Sequence, residues 1–73
     1  MTTIILKQLG DMKNISLANL IHEHCGHSMK HAKSLVDIIT EDTGISVTVQ
    51  PKMAESFIKV AETMGVKCEI KNK

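Results

Sequence analysis

The chain has 73 residues, with nine lysines and no arginine set against eight acidic residues, and a hydrophobic fraction of 42%. That length allows one domain, residues 1–73, with a single small core, and that apolar content is too high for a disordered chain. The near-balanced charge and the lack of Arg, Trp and Tyr argue against a nucleic-acid partner, and no apolar run approaches the roughly 20 residues needed to span a membrane.

Ile4-Ile5-Leu6 is a β-branched run that predicts a first strand, closed by a turn signal at Gly10-Asp11. A first helix is expected from about Ile15 to Cys25, capped by Asn14 or Ser16. Leu17, Leu20, Ile21 and His24 share one side of it at helical spacing. Ile15, Ala18, Asn19 and His22 fall on the other side, toward solvent or a partner. Gly26 stops this helix and Ser28 caps the next. There Ala32, Leu35, Val36 and Ile39 repeat as a buried stripe, with Met29 one turn earlier.

Residues 41–44 form a loop. Ile45-Ser46-Val47-Thr48-Val49 alternates and predicts a second strand. Pro51 opens a third helix, where its missing N–H costs nothing. Met53, Ala54, Phe57, Ile58, Ala61 and Met64 give that helix its apolar stripe, and Gly65 ends it. Val66 to Lys71 alternates again, with Val66, Cys68 and Ile70 on the face expected to be buried. The order is β-α-α-β-α-β. The expected fold is α+β in two layers, three helices on one face of a three-stranded sheet. The open face is then polar, as Ser46, Thr48, Lys67, Glu69 and Lys71 allow.

With that order in place, IILK at 4–7, a first helix, Gly26 and KHAKSLVD at 30–37 resemble the C-terminal domain of the bacterial ribosomal stalk protein. AESFIKVAETMGVKCEIK at 54–71 is similar to that domain's last helix, glycine and strand. The likeness runs over nearly the whole chain. Its most specific parts are Ala32-Lys33, Leu35-Val36 and the run from Met64 to Ile70. The adaptor of the Clp protease that recognises N-terminal degrons shares the fold. Its amine-holding histidine falls near Thr40 here, and Asp11 stands where an acid is needed.

The resemblance implies a working surface. The stalk domain recruits translation GTPases through the solvent side of its first two helices, using basic residues around a few exposed apolar ones. The matching positions are Asn14, Ile15, Ala18, Asn19, His22 and Lys33, with Lys30 beside them. Asn14 and Asn19 carry no positive charge, and His22 carries one only when protonated. The implied function is a non-enzymatic protein-binding module related to translation. Its partner-binding residues are Ile15, Ala18, Asn19, His22, Lys30 and Lys33, and its partner is an unidentified protein. The stalk protein's dimerisation region and hinge have no counterpart in these residues, so a monomer is expected.

The alternative reading starts from the histidines. All four lie between His22 and His31, with Cys25 among them. His27 and His31 are four apart, a spacing that lets two imidazoles share an ion if His27 is helical. His22, Cys25, His27 and His31 would make a site for Zn²⁺, Ni²⁺ or Cu²⁺. Against it, the chain has no C-x-x-C pair, and His24 on the apolar side reads as a hydrogen-bonded core residue. The primary expectation is therefore no metal and no cofactor. There is no phosphate-binding glycine loop, no carboxylate pair on one face and no nucleophile with a base, so no enzyme is expected. Two cysteines do not make a disulfide framework. The start MTTIILKQLG lacks a basic segment followed by an apolar one, so a cytoplasmic location is expected.

Overall fold

The computed structural model describes residues 1–71. Six elements follow in order: β1 Thr2–Gln8, α1 Asn14–Cys25, α2 Met29–Ile38, β2 Ile45–Val49, α3 Pro51–Glu62 and β3 Val66–Lys71. This is the α+β fold expected, with β-α-α-β-α-β order and an antiparallel three-stranded sheet. The alternating strands 45–49 and 66–71 have the bounds expected from sequence. β1 is longer than Ile4-Ile5-Leu6, because it lies at the centre of the sheet in the order β2-β1-β3. A partner on each side extends the ladder through Thr2 and Gln8.

Inward from the sheet point Ile4, Leu6, Ile45, Val47, Val49 and Val66, all buried. α3 supplies Ala54, Phe57 and Ala61, and α2 supplies Ala32 and Val36, extended by Ile39 just past its end. Outward point Ser46, Thr48, Lys67, Glu69 and Lys71, all exposed, so the second face of the two edge strands is polar as expected, with the half-buried Ile5 of β1 between them. Ile70 departs from its expected place: it is 47% exposed. β3 is an edge strand, and α3 covers it from the inner side, which leaves the Ile70 end open.

The helix ends follow local chemistry. Pro51 occupies the first turn of α3, and Gly26 closes α1 at φ 74°, where a side chain is disfavoured. Ser28 caps α2, its Oγ accepting from the His31 N–H at 3.2 Å. Neither Asn14 nor Ser16 caps α1. The flanking residue is Lys13, without a side-chain cap among the described residues. Backbone bonds fix this start instead: the Lys13 N–H donates to the Met64 carbonyl at 2.9 Å, and the Lys13 carbonyl accepts from Leu17.

α1 touches α2, α3 and β2. Three neighbours need a wide buried arc, and Leu17, Ala18, Leu20 and Ile21 provide it. Ala18, expected to face solvent, is only 1% exposed. It sits one turn after Asn14, on the side of α1 where α2 packs, and a methyl group allows that close approach.

Candidate functional site

The seam between α1 and α2 opens into a groove of about 270 Å³ lined by Asn14, Ile15, Lys33, Val36 and Asp37. Asn14 and Ile15 belong to the first turn of α1; the other three belong to α2. Ile15 is 69% exposed at the edge of this groove. Val36 forms the floor from its buried position in the α2 stripe.

Of the six candidate partner-binding residues, the structure brings Ile15 and Lys33 to the groove itself. Asn19, His22 and Lys30 are exposed but lie outside its lining. Ala18 is in the core and is withdrawn from the surface. Val36 and Asp37 are additions. Asp37 falls one turn after Lys33, so its place on the same side was readable from the spacing. Val36 was read as core alone, because periodicity does not say which buried residue lies at the bottom of an opening.

The histidine corner has a different geometry from a metal centre. The His22 ring faces the His27 carbonyl, with Nδ1 2.6 Å from the oxygen. A carbonyl only accepts, so Nδ1 carries the hydrogen and donates. The His27 and His31 rings meet edge to face with centroids 4.7 Å apart, so they pack on each other rather than converge on a point. His24 is half-buried with its ring 6.0 Å from that of Phe57, again edge to face. Among the described residues it makes this ring contact and not the hydrogen bond expected of it. Among the described residues no group of three or more His, Cys, Asp or Glu stands close enough to hold a metal ion. His22, Cys25, His27 and His31 therefore do not assemble as a ligand set. The His22–His27 hydrogen bond spans the turn between α1 and α2, where Gly26 ends the first helix and Ser28 caps the second.

Cys25 and Cys68 are unpaired thiols. Partial burial pushes each pKa from 9.0 to about 11, with the Glu62 carboxylate adding to the shift at Cys68. At pH 8 their thiolate fractions are therefore about a hundredfold below that of a thiol at the ordinary value. Alkylation by iodoacetamide at pH 8 is expected to be slow in the folded protein and fast at both sites in urea. Equal rates in the two states would contradict this burial. The same shift links to stability. The fold favours the neutral thiol, so its contribution is intact below pH 9.0 and is lost as the pH rises toward about 11.

The Clp-adaptor positions do not form an amine site of their own. The Thr40 hydroxyl accepts from the Thr43 N–H at 2.8 Å and the Asp42 N–H at 3.2 Å, and so organises its own loop. Asp11 is exposed at the turn after β1. No helix among the described residues is long and apolar enough to cross a membrane. No protein family, curated protein or solved structure matches the chain.

Proposed function

We propose that this chain is a small protein-binding module, without reaction chemistry of its own, that docks an acidic protein segment in the α1–α2 groove. An apolar side chain of that segment seats against Ile15 and Val36. The observation that carries this reading is Ile15, a large apolar residue left exposed beside an open groove. An apolar centre inside a polar rim is the layout of a modest protein interface.

The charge around the groove selects the occupant. Lys33 lines it, and Lys13 and Lys30 are exposed on the elements that flank it. The first turn of α1 has neither a side-chain cap nor an acidic residue, so nothing within the helix itself offsets its partial positive charge beside Ile15. Asp37 is the single acid in the lining and offers the partner one place for a donor. The resemblance to the ribosomal stalk domain supports the same face and a role in translation, in the bacterial cytoplasm.

The test is Ile15→Asp, measured against acidic peptides selected from a displayed library on the folded protein. A carboxylate in the first turn of a helix is favourable, so the fold should be unharmed. Binding is expected to fall by roughly thirtyfold, the loss of an anchor worth about 2 kcal/mol. Lys33→Glu should weaken binding as well. The salt dependence should be gentle, because few lysines border the groove. An Ile15→Asp protein that binds the selected peptides as wild type does would remove the reading.

A further inference from the structure

β3 is an edge strand, with β1 on one side and no strand on the other among the described residues. Its free edge can be read from the ladder. The Leu9 N–H donates to the Gly65 carbonyl at 3.0 Å, one step beyond the Gln8–Val66 pair. In an antiparallel pair, alternate residues turn their backbone groups toward the partner. Gly65, Lys67, Glu69 and Lys71 thus face β1, and Val66, Cys68 and Ile70 present free N–H and C=O groups outward.

We propose that the chain forms a two-fold dimer by antiparallel pairing of β3 with β3 of a second copy, centred on Cys68. In that register the strand is complementary to itself. Lys67 lies opposite Glu69 of the second copy, and Glu69 opposite its Lys67, on the polar face. Val66 lies opposite Ile70 and Ile70 opposite Val66 on the helix face. Lys71 meets Gly65, where no side chain opposes it. Each cross-strand pair is matched in chemistry, and the two-fold axis uses each match twice.

Lysines on an edge strand usually prevent such pairing. Here Glu69 stands between Lys67 and Lys71, so moving the centre to Lys67 or to Glu69 sets that charge against its own copy, and the Cys68-centred register avoids both clashes. The apolar surface points the same way. Ile70 remains exposed beside a groove lined in part by Ala54 and Ile58, and the second copy would cover it. Near the axis Glu62 approaches its own copy, and Lys59 on the same flank of α3 is available to offset it. The other edge, β2, has no charged residue to fix a register, and its apolar side chains are already buried. α1 lies over β2 and α3 over β3. A β3 dimer therefore leaves both α1–α2 grooves open at its two ends, ready for a bivalent partner. It also replaces the monomer expected from sequence.

The test is sedimentation equilibrium of the reduced protein at low salt, from micromolar to millimolar concentration. Wild type is expected to approach twice the monomer mass. Lys67→Glu and Glu69→Lys should each weaken the dimer about tenfold, because each puts two like-charged pairs across the axis. The double variant Lys67→Glu, Glu69→Lys restores opposite charges and should restore the dimer. Both residues are exposed, Lys67 opposite Lys7 and Glu69 opposite Ile5, so circular dichroism should show an unchanged fold. A wild type that stays monomeric, single variants that dimerise as well as wild type, or a double variant that fails to recover would each overturn the proposal. None of these outcomes bears on the groove, which Ile15→Asp tests separately.

Discussion

A Gly65→Ala protein is expected to lose about 3 kcal/mol or more, a large share of the stability of a domain this small. Two effects add. Gly65 has φ 86°, a conformation that costs a residue with a side chain about 1–2 kcal/mol. A methyl group there would also run into the carbonyl oxygen of Asp11. The Asp11 backbone has little room to yield. On either side of it, Leu9 and Gly10 donate to the Gly65 carbonyl, and Lys13 donates to that of Met64. The loop after β1 is thus tied to the turn before β3, and the same tie fixes the start of α1 in place of a side-chain cap. Gly26 is the control. It has φ 74° but open space around the missing side chain, so Gly26→Ala should cost only about 1 kcal/mol. Urea unfolding of both variants tests this. Equal losses would show that the approach of Asp11 to Gly65 does not matter.

Phe57→Ala is expected to cost about 3–5 kcal/mol, enough to remove the cooperative transition at room temperature. Phe57 is the only Phe in a chain without Trp or Tyr, and it is fully buried. It projects from α3 into the core shared with the sheet and α1, and the His24 ring of α1 meets it edge to face. No other side chain is large enough to fill the space. Phe57→Leu keeps most of the volume and should cost clearly less. Thermal denaturation followed by far-ultraviolet circular dichroism distinguishes the two. An alanine variant with a nearly native melting temperature would mean that the core does not centre on this ring.

The strands at 45–49 and 66–71 were legible because alternation is a local signal, and Gly26, Ser28 and Pro51 mark helix ends by chemistry that does not depend on the rest of the fold. The misplacements share one cause. Ala18 was assigned to solvent because Leu17, Leu20 and Ile21 define one buried face, but α2 packs on the adjoining side and claims Ala18 too. Periodicity shows that a helix has an apolar face; it does not show how many neighbours the helix has. Ile70 was assigned to the core by alternation, while its exposure depends on β3 being at the edge, a property of strand order. Sequence offers Asn14 and Ser16 as side-chain caps of α1, while its start is fixed by the Lys13 N–H donating to Met64, far along the chain. The histidines were close in sequence, but ligation needs lone pairs aimed at one point. Instead, the His22 Nδ1–H is aimed at a carbonyl, and the His27 and His31 rings meet edge to face. At the candidate surface, Ile15 and Lys33 were legible. The groove between them was not, because it exists only once α1 and α2 are set against each other.

The claim that most needs testing is that the α1–α2 face does the binding. The direct measurement is amide chemical-shift mapping of the isotopically labelled protein, titrated with an acidic peptide selected on it. Shifts are expected to cluster at Asn14, Ile15, Lys33, Val36 and Asp37, to weaken toward Asn19 and His22, and to vanish with Ile15→Asp. Shifts centred on Thr48, Lys67 and Glu69 would place the working surface on the open face of the sheet and contradict it.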